Sequence, residues 1–388
     1  MTIKKFLLFI APFYFIFFIG CSDAPTSVGS NLLKQDYIGV LKFNSLTDSS
    51  AQKSSYFRRS YSLSSSTRLL LGKYSNIESS ILIRFYYTLA DSTISDLKNN
   101  NLNVTSASVR FTRNYLAGDS TAAFDFHAYK INSTWFTGFD GDSLNSLNYD
   151  QTDISSNRKL TDSLCSFNVD SQLVLSWLQT AANSSFDNGI LIKPTSNTNK
   201  VIGLTALSVY ATLPVPQLVV VLEKLGVYSN DTVAFLPSTD LSVVTGTPPQ
   251  YNSELIYLEG GLVLNGKLAF DVSKLPAHSV INNAKLTLTY DSSASTGPLP
   301  STIYVYNMKD SSSNVLDSTI VGSLYKGTGI YSGDITRYVG NWVNGTNEGM
   351  LLAPIDQYST VNLSALKSST AADVSVRPKL EIVYTINK

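Results

Sequence analysis

The stretch I-N-N-A-K-L-T-L-T-Y, residues 281–290, decides the fold class, and V-T-S-A-S-V-R-F, residues 104–111, is similar to it. From Ala284 to Tyr290 every second residue is apolar, and Lys or Thr lies between. An alternation of period two predicts a half-buried strand of an antiparallel sheet. Leu380, Ile382 and residues after them repeat the pattern near the C-terminus. With Gly-, Pro- and Ser-rich turns between such runs, the chain is predicted to be all-β.

Five pairs of segments recur in the same order along the chain. This shared order predicts an internal duplication, with two tandem antiparallel β-sandwich or jelly-roll domains at residues 36–224 and 225–388. The pairs are 68–72 with 254–260, 104–111 with 281–288, 126–129 with 303–306, 188–194 with 348–354, and 216–221 with 377–384.

Two short segments break the strand pattern. Residues 170–179 and 334–343 each begin with Asp, a residue that caps helix N-termini well, and each places apolar residues three or four apart. Trp177 and Trp342 lie near the ends of these segments. Each half is therefore predicted to carry one short helix, whose Trp covers one end of the sheet structure.

Longer motifs extend the likeness between the halves. In the first half they are V-T-S-A-S-V-R-F (104–111), H-A-Y-K-I-N-S-T-W (127–135), N-G-I-L-I (188–192) and P-Q-L-V-V-V (216–221). In the second half they are I-N-N-A-K-L-T-L (281–288), I-Y-V-Y (303–306), N-W-V-N-G-T-N-E-G-M-L-L (341–352) and R-P-K-L-E-I-V-Y (377–384).

Through these motifs each half resembles the DNRLRE-type domain, a β-sandwich related to a module of archaeal disaggregatase and to some carbohydrate-binding modules. The chain is also similar to a group of outer-membrane lipoproteins. The resemblance implies extracellular modules that are sometimes glycan-associated and share no catalytic set. Three features depart from the family pattern: Trp135 has no counterpart after Tyr306, Arg377 has none before Pro216, and the name-giving string is absent.

The N-terminus has the layout of a secretory signal peptide, predicted to span residues 1–20. Lys4 and Lys5 precede an apolar run at 6–19, and this run is shorter than the ~20 residues that a transmembrane helix requires. The run ends in F-I-G-C, which resembles a lipobox, so Cys21 is the expected site of lipidation. Acyl chains, including palmitate, would hold the protein on a membrane.

Residues 21–35 after the lipobox are small and polar and are predicted to form a flexible tether. The predicted location is the outer membrane or cell surface, reached through the general secretory route, with the membrane as a partner through the lipid anchor.

The charge balance argues against a nucleic-acid-binding protein, and the cysteine content argues against an intramolecular disulfide. The 29 basic and 29 acidic residues balance and form no basic block, so nucleic acid is not an expected partner. With Cys21 acylated, Cys165 has no disulfide partner, and its alternation with Phe167 and Val169 predicts a buried apolar side chain.

Catalytic motifs are not evident. His127 and His278 have no zinc-binding spacing, and no G-x-S-x-G, Walker or G-x-G-x-x-G string occurs. The chain is therefore predicted not to be an enzyme, although a pair of carboxylates that meet in space, as in a polysaccharide hydrolase, stays open at this point.

Aromatic residues at 135–139 are the candidate ligand-binding side chains. Trp135, Phe136 and Phe139 would stack on sugar rings if they formed an exposed platform, because aromatic faces suit the C–H faces of sugars. The alternative is that Trp135 packs inward.

The acidic stretch that follows is the candidate metal site. Asp140, Asp142, Asp150 and Asp153 are oxygen donors suited to structural calcium, the one possible cofactor. The alternative is a solvated loop without metal.

Three functions follow from these observations. The first is a non-catalytic, membrane-anchored surface lipoprotein with a structural, adhesive or assembly role, whose partner is a surface protein or polysaccharide. The second is a glycan-binding lipoprotein that uses the loop aromatics. The third is a polysaccharide hydrolase.

Overall fold

The computed structural model describes residues 39–209, 214–227 and 230–386. Within them the fold is mostly β, and the strand pairs are antiparallel, as the alternation predicts. The predicted signal peptide at 1–20, the lipidation site Cys21 and the tether at 21–35 lie outside the described residues.

The described residues form two sheets of 11 strands each. Sheet I contains β3 (Arg68–Tyr74), β4 (Ile77–Phe85), β5 (Leu102–Ala117), β6 (Phe126–Lys130), β7 (Ser155–Leu160), β8 (Leu164–Val169), β9 (Ile190–Pro194), β10 (Val201–Thr205), β11 (Gln217–Lys224), β12 (Asn230–Phe235) and β13 (Pro237–Gly246). Sheet II contains β1 (Val40–Asn44), β2 (Gln52–Arg58), β14 (Leu255–Glu259), β15 (Leu264–Phe270), β16 (Val280–Thr296), β17 (Thr302–Asp310), β18 (Val315–Lys326), β19 (Ile330–Asp334), β20 (Met350–Pro354), β21 (Leu363–Lys367) and β22 (Lys379–Thr385).

The two sheets pair their strands in the same order. The path β11-β5-β10-β3-β4-β9-β6 of sheet I corresponds to β22-β16-β21-β14-β15-β20-β17 of sheet II. The long strands β5 and β16 each pair with three others, since each bends from one group of strands to another. The five similar segment pairs of the sequence lie on strands that correspond in this order.

The sheets exchange strands reciprocally. β1 and β2 precede sheet I in the chain but pair with β22 and β15 of sheet II. β12 and β13 precede sheet II but pair with β11 and β4 of sheet I. Strands on each side of the predicted domain boundary at residue 225 therefore belong to the sheet that is formed mainly by the other side. Two crossover segments result, the first at residues 59–67 and the second at 247–254.

A third apolar cluster joins the sheets. It lies between the two large cores of sheets I and II, and it combines side chains from both sheets and from the first crossover. Its buried members are Leu63, Leu70, Ile77, Ala117, Val201, Val244, Leu262, Val263 and Val361. Because this cluster is apolar and closed to water, it stabilises the contact between the sheets.

The two sheets differ at one place. In sheet II, β17 pairs with β18 through a short turn at 311–314, so the pairings return through β19 to β16 and close a ring. In sheet I, β6 and β7 do not pair, and residues 131–154 lie between them. We refer to residues 131–154 as the insertion loop.

Within the described residues three α-helices lie beside the sheets: α1 (Asp91–Lys98), α2 (Ser171–Ala182) and α3 (Thr336–Asn344). The sequence predicts α2 and α3, and the Asp170 carboxylate accepts from the Leu173 amide at 2.8 Å, as a helix cap does. Trp177 and Trp342 are buried against the two cores, as expected. In α3 the N-cap residue is Ile335 rather than Asp334, and α1 is not predicted. No helix of the described residues has the length and apolar character to cross a bilayer.

Candidate functional site

The insertion loop covers the outer face of sheet I. Trp135 is only 4% exposed, and its indole Nε1 donates to the Asn188 carbonyl oxygen at 2.6 Å. The Arg84 guanidinium lies 5.5 Å from the centre of the ring. Trp135 therefore has the contacts of a packed side chain with a satisfied N–H.

The other two candidate aromatics take different positions. Phe139 is 7% exposed, whereas Phe136 is 66% exposed, and their rings meet edge to face at 5.3 Å. The three rings therefore do not form an exposed platform. The alternative of inward packing holds for Trp135, and Phe139 is buried as well. The reason is the outer face itself, which is apolar and needs cover; beside Trp135 and Phe139 the cluster contains Leu82, Ile131, Leu147, Leu191, Leu241 and Val243.

Asp140 joins the insertion loop to the first crossover. Its carboxylate accepts hydrogen bonds from Ser60 and, at 2.8 Å, from the Ser143 hydroxyl. The Ser60 bond is the main cause of an Asp140 pKa below the ordinary value. Asp142, by contrast, is exposed, and its nearest cation is Arg58 at 4.0 Å.

Asp150 and Asp153 lie at the far end of the loop. Asp150 accepts from Asn132 at 2.6 Å. Asp153 accepts from Ser155 at 2.6 Å and pairs with Arg158 at 2.8 Å. Burial raises the pKa of Asp153, but hydrogen bonds from Ser155 and from the Ala128 amide outweigh it, so the pKa is lowered.

The predicted calcium ligands are thus occupied by separate protein partners. Among the described residues, no group of three or more His, Cys, Asp or Glu side chains is arranged to hold a metal ion. The structure therefore does not collect Asp140, Asp142, Asp150 and Asp153 into one site.

The side chains considered as a nucleophile or base are Cys165, His127 and His278, and their contacts are those of structural residues. Cys165 is buried beside Phe167, as predicted, and burial raises the pKa of its thiol to about 12. His127 Nδ1 lies 3.2 Å from the Tyr129 hydroxyl, and its Nε2 lies 3.7 Å from Asp153. His278 lies in a turn with a positive φ of 63°.

A groove that sequence reasoning missed lies at the second crossover. Two tyrosines, Tyr251 and Tyr257, line it, and both rings contact Tyr56: Tyr251 stacks on Tyr56 with centroids 6.5 Å apart and planes at 27°, and Tyr257 meets Tyr56 edge to face at 5.3 Å. Tyr251 is 75% exposed, whereas Tyr257 is buried. The groove has a volume of about 460 Å³.

Uncharged polar groups complete this groove, which we call the tyrosine groove. Gln250, Asn252 and Ser253 line it together with Tyr251 and Tyr257. Asn252 Oδ1 accepts from the backbone amide two residues on at 2.9 Å, which leaves its Nδ2 free to donate. The signal in the sequence is P-P-Q-Y-N-S at 248–253, an aromatic residue within a turn-forming string.

Sheet II has a second cleft where sheet I has the insertion loop. Its volume is about 340 Å³, and it is lined by charged side chains, including Lys267 and Glu348. Lys267 Nζ donates to Asn314 at 2.9 Å, and Glu348 accepts from the Ser311 hydroxyl at 3.0 Å. These contacts hold the 311–314 turn against the sheet.

Neither a protein-family model nor a curated protein sequence matches this chain. The DNRLRE-type resemblance stays a prediction, and the functional argument depends on the residues described above.

Proposed function

We propose that this chain is an exported lipoprotein, anchored through an acylated Cys21, that acts outside the cytoplasm as a non-catalytic structural or adhesive module. Its body would consist of two tandem β-sandwich modules of the DNRLRE-like kind. The export and anchor parts of this proposal rest on the signal-peptide pattern at 1–20 and the lipobox at Cys21. The structural role rests on the reciprocal strand exchange, because it fixes two similar sheets into one body.

An adhesive or scaffolding role is favoured by rigidity. The exchanged strands and the apolar cluster between the sheets make relative motion of the sheets costly, since motion would break both strand pairing and buried apolar contact. Loops on such a body present their side chains at fixed separations. The chain would be attached through the segment before β1, which begins at Val40 in sheet II.

A non-catalytic role is supported by the state of the reactive side chains. The Cys165 thiol has its pKa raised to about 12 by burial, so it is not poised as a nucleophile. The Asp153 carboxylate is engaged by Arg158, and His127 contacts Tyr129 and Asp153.

Lipid labelling tests the anchor. Cells that express the full chain are fed an alkyne analogue of palmitate, and the protein is captured and probed for the label. We expect labelling and membrane association in the wild type, and loss of both in Cys21→Ala, because Cys21 alone precedes the body with a thiol. Cys165→Ala is the matched control and should keep the label. A wild-type protein that stays unlabelled, with residues 1–20 still attached, contradicts the proposal.

A further inference from the structure

We propose that the tyrosine groove binds a neutral saccharide chain, with the exposed face of Tyr251 stacked on one sugar ring. This inference rests on the proposed function, since it names the ligand class for a module that acts at a cell surface. It uses side chains different from the loop aromatics at 135–139.

The exposure of Tyr251 is the first step of the argument. A tyrosine ring that is 75% exposed gains little from burial within its own chain, yet this ring is held nearly parallel to Tyr56 with centroids 6.5 Å apart. Pro248 and Pro249 precede it and restrict the backbone. The ring is therefore presented in one orientation with one face open, so little side-chain entropy is lost when a ligand stacks on it.

The backbone beneath the groove is also fixed. The Ser253 carbonyl oxygen accepts hydrogen bonds from the hydroxyls of Ser368, at 2.6 Å, and Thr370. The Asn252 carbonyl oxygen accepts from the Leu255 amide at 3.1 Å. The second crossover is thus held at both its own turn and the end of β21, and the groove is preformed.

The chemistry of the lining selects the ligand. None of the groove-lining side chains is an acid or a Lys or Arg; they are two tyrosines, two carboxamides and a hydroxyl. Tyrosine faces suit the C–H face of a sugar ring, whereas carboxamides and hydroxyls donate to and accept from sugar hydroxyls. An anionic glycan would need Lys or Arg to pair with, and a peptide would need an unpaired strand edge or apolar pockets. The lining therefore favours a neutral saccharide.

The size and openness of the groove indicate a chain rather than a single free sugar. Its volume of about 460 Å³ lies within the range of small-molecule sites of ~300–1,000 Å³, and it is shallow and widely open to solvent. An open groove lets the ends of a polymer extend beyond the contacting rings. We therefore expect recognition of internal sugar units.

The test uses affinity gel electrophoresis and titration calorimetry of the full chain in detergent. The probes are three neutral polysaccharides, a β-1,4-glucan, a β-1,4-xylan and a β-1,4-mannan, with polygalacturonate as an anionic comparison. We expect binding to at least one neutral polymer, and an affinity about tenfold lower in Tyr251→Ala. Tyr251→Phe keeps the ring and should stay within about threefold of the wild type.

The control variant is Tyr325→Ala, which removes another exposed tyrosine, 65% accessible on β18, and should leave the affinity unchanged. Absence of binding to every neutral polymer overturns the inference, as does binding that survives Tyr251→Ala or that occurs with polygalacturonate alone. Because Cys21 labelling is measured separately, failure of glycan binding leaves the anchor proposal standing, and failure of labelling leaves the groove result standing.

Discussion

The outer faces of the two sheets correspond residue by residue, yet they are covered in different ways. In sheet I, Leu82 pairs with Leu191, which pairs with Tyr129. In sheet II, Lys267 takes the place of Leu82, and it pairs with Leu351, which pairs with Tyr306. The insertion loop covers the first face, whereas a turn at 311–314 touches the second.

This difference shows how one side chain decides whether a sheet face needs cover. An apolar face that contains Leu82 is stable only when other apolar groups exclude water from it, and Trp135 and Phe139 supply that cover. A face that contains Lys267 needs less cover, since its ammonium group donates to Asn314, and a smaller apolar cluster that includes Leu351 buries the rest. The strand order is the same in both sheets, so the loops differ because the faces differ.

Exchanging the two side chains should give the largest effect. Leu82 is fully buried, so Leu82→Lys places an unpaired charge under the insertion loop and is expected to cost on the order of 5 kcal/mol in the free energy of unfolding. The reverse change, Lys267→Leu, loses its bonds to the 311–314 turn and should cost only about 1 kcal/mol. Urea unfolding followed by circular dichroism measures both. Equal losses would mean that the two faces are not covered differently.

Removal of the cover itself should have the next largest effect. Trp135→Ala deletes a buried ring and leaves a cavity above Leu82, so we expect the free energy of unfolding to fall by about 4 kcal/mol. Phe136→Ala, next in the chain but exposed, should change it by no more than about 0.5 kcal/mol. The same unfolding measurement compares the two. A small loss for Trp135→Ala would contradict the packing described for the loop.

A pH titration of stability should separate the sheets by a smaller effect. Burial raises the pKa of Glu259 in sheet II from 4.5 to about 8, and one carboxylate oxygen has no hydrogen-bond partner among the described residues. Between these values the folded chain keeps a proton that the unfolded chain releases. Stability should therefore fall as the pH rises, by about 2 kcal/mol between pH 5 and pH 7. Glu259→Gln should abolish most of this fall, as thermal unfolding at each pH would show.

The matched variant in sheet I is Asp240→Asn. Burial raises the pKa of Asp240 to about 6, although its carboxylate accepts from the Leu207 amide at 2.7 Å. Its contribution is also lost as the pH rises, but most of the loss occurs below pH 6 and the remainder ends near pH 7. Asp240→Asn should therefore alter the profile mainly below pH 6 and leave most of the fall above pH 6 intact. A profile that Glu259→Gln does not change above pH 6 would show that Glu259 is not the group responsible.

Local patterns were enough to predict the strands, two helices and the burial of Cys165, because each depends on neighbouring residues. The alternation at Ala284–Tyr290 fixes which side chains point inward, and Asp170 caps its helix through an amide three residues away. Strand exchange depends instead on partners far apart in the chain. The local sequences of β1 and β12 do not tell which sheet completes each of them, because their partners β22 and β11 are set by the whole fold.

The site was predicted less well for a related reason. The sequence shows that residues 135–139 are aromatic, but whether Trp135 faces water depends on the apolar face beneath it, which β4, β9 and β13 build from distant segments. Tyr251 was overlooked because its stacking partner, Tyr56, belongs to an exchanged strand. The errors at Trp135 and Tyr251 have the same cause. The packing of each loop depends on strands that are distant from it in the sequence.

The exchange of strands has a consequence for the timing of folding during export. On the proposed secretory route the chain leaves the translocation channel N-terminus first, so β1 emerges next to the membrane long before its partner β22. The edge of β1 must wait, unpaired, until residues 379–385 have passed through. The segment closest to the proposed anchor would then be the last to be built into its sheet, so the body would mature only after release of the whole chain.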